Sequence, residues 1–207
     1  MPKRKLLQEA SFIHPSAIVE TRDVGPGTRI WAWSHVQRDV VIGENCNIGE
    51  HCFIEEGVRI GNQTVIKNGV CVWKGVLIGD GVFIGPGVVF TNEIYPRSGF
   101  RKEFLTTRLE TGVSVGAGAV IMAGITIGSY AMVGAGSVVT KDVAPHVLVY
   151  GNPARKKGYC CICGLKVNVK KTPIQCICGR MYYMEKGRIM LVNDDQTLKS
   201  ENVKRIT

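Results

Sequence analysis

The 207-residue chain has no apolar run near the roughly 18 residues a membrane-spanning helix needs, and its opening, MPKRKLLQEASFIHPS, is charged where a secretory leader would be apolar. A soluble, cytoplasmic protein without a membrane span is the expectation. Leucines are few and aromatic residues make up only 7% of the chain, while 25 glycines are scattered among recurrent Val and Ile. That balance excludes long amphipathic helices and favours short strands broken by tight turns. Histidine is scarce as well: there are four, with none between His51 and His146.

What is present is a repeat. Every sixth residue from Phe12 is apolar and bulky: Ile18, Val24, Ile30, Val36, Ile42, Ile48, Ile54, Ile60, Ile66, Val72, Ile78, Ile84 and Phe90. After a break the count resumes, shifted by one, at Val115, Ile121, Ile127, Val133 and Val139. A fixed six-residue period predicts a parallel β-helix in which three hexads make one triangular coil of 18 residues. The expected organisation is an extension over 1–11, an all-β parallel β-helix over 12–155 with a loop at 91–112, and a separate tail over 156–207. The +9 net charge belongs almost wholly to that tail: residues 155–207 hold 12 Lys and Arg against 4 Asp and Glu.

Counting by eighteens sorts the corners. One column, Gly25, Gly43, Gly61 and Gly79, is glycine at every level and reads as conformational. A second mixes Trp31, Gly49, Lys67 and Gly85. The third has no glycine and stacks Arg38, Glu56, Lys74 and Asn92, with the long loop leaving from its top. This places a candidate cleft there, with Trp73 as an exposed stacking surface. A row of alternating solvated charges is the alternative for Arg38, Glu56 and Lys74.

The segments IGEN, IGNQ, IGDG, IGPG and VGAGSVVTKDV resemble the hexapeptide-repeat acyltransferases. That resemblance implies a left-handed helix, a homotrimer, and acyl-CoA bound between neighbouring subunits. More narrowly, IWAWSHV, KNGVCVWKGVLIGDGVFIGPGVVFTNEIYPR and YGNPAR resemble bacterial nucleotide-sugar N-acetyltransferases, the nearest likeness being enzymes acting on a UDP-linked 2-acetamido-3-amino glucuronic acid in surface-polysaccharide synthesis. Relatives acting on dTDP-linked 3-amino hexoses share much of the pattern. The resemblance implies that Asn92 holds the sugar amine and sets Arg97 in the same motif; the corner column adds Glu56, Trp73 and Lys74 to the substrate side, and His35 reads as a substrate or interface contact, with a structural histidine as the alternative. Ala117 and Ala135 are one coil apart, as are Ala123 and Lys141, which suits a pantetheine arm running along the axis, with small residues chosen only for turns as the alternative. The resemblance implies acetyl-CoA contacts at Ala117, Ala135, Thr140, Lys141 and Arg155, the last two suited to phosphates. The alternatives are a sugar O-acetyltransferase and a non-catalytic scaffold.

The histidine gap bears on this choice. A hydroxyl needs a base before it can attack a thioester, whereas a neutral amine does not. The O-acetyltransferases of this superfamily carry a histidine in the loop equivalent to 91–112, and here that loop has none. Arg101, Lys102 and Arg108 add positive charge to it.

Five of the eight cysteines cluster in the tail, where CICG occurs at 161–164 and again at 176–179. Two such knuckles a dozen residues apart predict a four-thiolate structural zinc ribbon of Cys161, Cys163, Cys176 and Cys178, with Cys160 able to replace Cys161 in a CxxC reading. Cys46, Cys52 and Cys71 read as core filler. The basic tail lacks an aromatic-basic motif, so nucleic acid is not an expected partner.

Overall fold

The computed structural model describes residues 10–100, 104–171 and 173–192. Arg101, Lys102, most of the extension, and the tail beyond 192 lie outside the described residues. Two-residue strands alternate with tight turns, and within each strand the second residue points inward: Ile30, Val36, Ile48, Ile54, Ile66 and Ile84 are fully buried. The strands stack into three faces, of ten, seven and five strands, wound as a β-solenoid and parallel throughout except for the last two strands of the ten. Partners lie 18 residues apart, as in Arg29↔Asn47, His35↔Phe53 and Val41↔Arg59. Burying each branched side chain contributes about 1.5–3 kcal/mol, and this is repeated at every level, so the inward column dominates stability.

The first coil departs from the six-residue count. Phe12 pairs with Arg29 and Ile18 with His35, an offset of 17. Ile13 and Val19 therefore align with the inward Ile30 and Val36, while Phe12 and Ile18 turn outward, 43% and 59% exposed. The coil is one residue short, and both residues of each pair are apolar, so the sequence tolerates the slip.

The loop ends earlier than expected. Thr107–Leu109 is a strand of the five-stranded face, paired with Val76–Ile78. Across the loop the offset is 31 rather than 18, so 13 residues are inserted and the excursion closes before Thr107.

The glycine corner is a matter of space rather than of backbone freedom. Gly25, Gly43, Gly61 and Gly79 do not have positive φ. A Cβ on Gly25 would lie 2.5 Å from the carbonyl carbon of Gly43, and one on Gly61 2.6 Å from that of Gly79. Stacked coils approach so closely here that no side chain fits. Cys46 and Cys52 are more than filler. Their thiols donate to the carbonyls of Gly61 and Lys67, at 3.0 and 3.3 Å, the task Thr28 and Ser34 perform one coil earlier on Gly43 and Gly49.

At the far end the tail joins the helix directly. Arg155–Cys160 runs antiparallel to Val147–Tyr150 and is followed by Lys166–Val167, so the ten-stranded face continues into the tail. Ile174–Gln175, Met181–Glu185 and Arg188–Leu191 form a further small antiparallel sheet. Among the described residues no helix is long and apolar enough to cross a membrane.

Candidate active site

The seven-stranded face ends at one corner, and its register fixes what stands there. Val36, Ile54, Val72, Phe90, Ile121 and Val139 are aligned or lie in consecutive strands of that face. The residues that follow them, Arg38, Glu56, Lys74, Asn92, Ala123 and Lys141, consequently share one column. The expected ladder thus includes two of the residues assigned to the cofactor.

The lower part of the column is satisfied by its own members. Arg38 Nε and Lys74 Nζ donate to the two oxygens of Glu56, at 3.4 and 2.8 Å. Hydrogen bonding to Lys74, with the charges of Lys74 and Arg38, holds the Glu56 carboxyl below its usual range, and the same hydrogen bond and the Glu56 charge raise Lys74. All three stand in solvent, where such pairs are weak.

Asn92 stands where the chain leaves the coil. The amide of Ala123 donates to Thr91 Oγ1 at 2.9 Å, and that of Thr91 to the Ile121 carbonyl at 3.0 Å, pinning the loop's first residue to the next coil. The amide of Leu105 donates to the Asn92 carbonyl at 3.3 Å and closes the loop at its base. The Asn92 carboxamide is half-buried and makes no hydrogen bond to a described residue. Arg97 lies further out, exposed, beside Ile94, Pro96 and Phe100 around an open hollow of about 640 Å³. Thr91 was not singled out from the sequence, although a β-branched hydroxyl before Asn92 is a signal that was there to read.

Trp73 is not exposed as expected. It is half-buried, packs on the core, and its ring lies 5.5 Å from Phe53, which lies 5.5 Å in turn from His35. His35 Nε2 sits 2.6 Å from Glu20 Oε1, three strands from Val89 along the face, or about 14 Å at the usual strand spacing. The structure does not bring it to Asn92. The other histidines are also occupied elsewhere: His14 bonds Ser16, His51 stacks on Trp33 at 5.0 Å, and His146 is buried at the end of the helix.

The alanines fall on two corners. Ala117 and Ala135 are one coil apart and exposed, but they follow strands of the ten-stranded face. Ala123, buried, and Lys141 follow strands of the seven-stranded face, which separates the two columns within one chain. Thr140, Lys141 and Arg155 come together around a cavity of about 400 Å³ that Lys156, Tyr159 and Arg188 of the tail also line. These three tail residues were missed, since the family-like motif stops at Arg155.

In the tail, the sulfurs of Cys161, Cys163, Cys176 and Cys178 all lie within 4.8 Å of one another. Cys161 Sγ is 3.5 Å from Cys178 Sγ, and Cys163 Sγ is 3.6 Å from Cys176 Sγ. A tetrahedral zinc with four sulfurs at about 2.3 Å needs edges of about 3.8 Å, and both of these separations fall just short of that. The Arg180 amide and guanidinium draw the Cys178 thiol down to about 6, favouring the thiolate a metal requires. Tyr182 Oη donates to Cys161 Sγ at 3.0 Å. Cys160, 1% exposed, is outside the cluster, and burial pushes its thiol up to about 11.

Residues 23–56, 57–92 and 106–141 match the bacterial transferase hexapeptide family, and the gap between the last two stretches is the loop. The chain belongs to the hexapeptide-repeat transferases. It is 53% identical over 180 residues, spanning 86% of this chain and 94% of the relative, to the dTDP-3-amino-3,6-dideoxy-α-D-galactopyranose 3-N-acetyltransferase of Aneurinibacillus thermoaerophilus. A match of that length extends beyond the β-helix into the cysteine tail. Among solved structures, a hexapeptide transferase family protein of Anaplasma phagocytophilum shares the fold at 22% identity and a TM-score of 0.52, over 73% of this chain and 80% of that one. A hexapeptide-repeat acetyltransferase of Vibrio cholerae O1 biovar eltor, solved with acetyl-coenzyme A, is 31% identical over 54% of this chain and 69% of that one, with a TM-score of 0.46.

Proposed function

We propose that the protein is an acetyl-CoA-dependent N-acetyltransferase acting on the 3-amino group of a dTDP-linked 3-amino-3,6-dideoxyhexose, in the cytoplasm, during surface-polysaccharide synthesis. The observation that carries this is the 53% identity to an enzyme of that activity over nearly the whole of both chains. It favours the dTDP-linked sugar over the UDP-linked glucuronate.

Asn92, at the root of the loop, accepts a hydrogen bond from the sugar amine through its carboxamide oxygen and aims the nitrogen lone pair at the thioester carbon. The C–N bond forms and the C–S bond breaks, the thiolate leaves as coenzyme A, and the amine proton passes to it or to water. A backbone amide of the same corner stabilises the tetrahedral oxyanion. No histidine is required. His35 stays on Glu20, and Lys74, Glu56, Trp73 and Arg97 shape the substrate side.

The protein acts as a homotrimer. A donor lying between subunits touches Ala123, Thr140, Lys141 and Arg155 on one chain and Ala117 and Ala135 on its neighbour, which accounts for the two separate columns. The four cysteines hold one structural zinc; a closed thiolate site of this kind offers no open position for substrate.

The test is Asn92→Ala. Amine acetylation should fall at least about tenfold with the oligomer unchanged, the scale of losing one positioned polar contact in the transition state. Undiminished turnover would remove Asn92 from the site.

A further inference from the structure

Four cations line the cavity at the end of the β-helix, and three of them, Arg155, Lys156 and Arg188, lie beyond residue 141, where the hexapeptide repeat ends. Lys141 stands on the last coil, at the corner that carries Asn92 two levels earlier, about 10 Å away along the axis. Arg155 and Lys156 come from the strand that leaves the helix, and Arg188 opens the tail's last strand, directly after the tight turn at 186–187. None is in an ion pair with a described carboxylate. Asp142, the acid at this cavity, has an oxygen occupied at 2.8 Å by the Thr126 amide. The floor is apolar, with Val139, Val143 and Pro145.

The far wall is held in place by specific contacts. Tyr159 Oη donates to the Gly187 carbonyl at 2.9 Å, which fixes the turn just before Arg188 against the strand from the helix. Lys156 Nζ bonds the same hydroxyl at 2.5 Å. The hairpin that ends in this turn carries Tyr182, whose ring packs 5.7 Å from that of His146 and whose hydroxyl bonds Cys161. The turn is thereby tied to both the last coil and the cysteine cluster.

We infer that the tail is part of the donor site: Arg188, with Lys156, binds the phosphates of the coenzyme's nucleotide end across from Lys141 and Arg155. The inference rests on the acetyl-CoA reading above. Unpaired cations on two walls over an apolar floor suit a phosphorylated nucleoside, and the corner leading from Lys141 past Ala123 to Asn92 gives the acyl arm its path. The cysteine tail then serves as a wall of the active site and is more than an appendage.

The experiment is calorimetric titration of the intact oligomer with coenzyme A, and separately with the nucleotide sugar, for the unsubstituted protein, Arg188→Ala and Arg188→Lys. Arg188→Ala should weaken coenzyme A binding about tenfold and leave sugar binding and the melting temperature unchanged, with Arg188→Lys recovering part of the loss. Equal coenzyme A affinity in Arg188→Ala and the unsubstituted protein overturns the inference while leaving the function intact. A parallel fall in both affinities with a lower melting temperature also overturns it, by making Arg188 structural. If the unsubstituted protein binds no coenzyme A, the donor reading fails and this inference fails with it.

Discussion

The amide of Ala123 donates to the hydroxyl of Thr91 at 2.9 Å, joining the first residue of the loop to the coil that follows it. From Arg29 to Phe90 the solenoid keeps its 18-residue register, and the 13-residue insertion lies between Thr91 and Thr107. The bond therefore sets where Asn92 stands.

Thr91→Val keeps the shape and removes the acceptor. An unpaired, partly buried amide should cost about 1–3 kcal/mol, seen as a lower melting temperature. The acetylation rate should fall several-fold because Asn92 loses its anchor, and Thr91→Ser should restore most of it. Unchanged kinetics in Thr91→Val would show that the anchor does not position Asn92.

His146 sits buried at positive φ, its Nδ1 3.0 Å from the Cys160 carbonyl, its ring stacked on Tyr130 at 5.3 Å. Burial lowers its pKa below 6.5, so the unfolded chain takes up the proton first as pH falls. The stability this group confers is full above pH 6.5 and is lost on acidification below it. His146→Asn keeps a donor and tolerates positive φ. Thermal melts at pH 7.5 and 5.5 should show a smaller drop for His146→Asn than for the unsubstituted protein; equal drops would contradict the assignment.

Metal analysis should find one zinc per chain. Cys161→Ser should lose it, whereas Cys160→Ser should retain it, since Cys160 lies outside the cluster. Loss of metal from Cys160→Ser with retention in Cys161→Ser would restore the CxxC pairing.

The solenoid was legible because each coil repeats one demand, a branched side chain inward every sixth residue. The count misread the first coil because Phe12–Ile13 and Ile18–Val19 are apolar at both positions, so only strand pairing reveals which residue faces in. The loop's end was hidden for a related reason: Leu109 is followed by Glu110, where the same corner carries Gly43, Gly61 and Gly79 in the earlier coils. Asn92 and the cysteine cluster were readable since a corner column and a doubled tetrapeptide are local patterns. The cavity joining Lys141 to Arg188 was not, because it depends on how the tail folds back, and no period links those residues. Trp73 was misjudged since a corner position does not reveal that Phe53 lies alongside its ring.

Thiol release from acetyl-CoA tests the central claim most directly, using purified protein with dTDP-3-amino-3,6-dideoxygalactose and, in parallel, the same sugar with a 3-hydroxyl. Rapid release with the amine and none with the hydroxyl is the expected result, because the proposed site relies on Asn92 and has no histidine base. Release with the hydroxyl sugar, or none with any nucleotide-linked amino sugar, would contradict it.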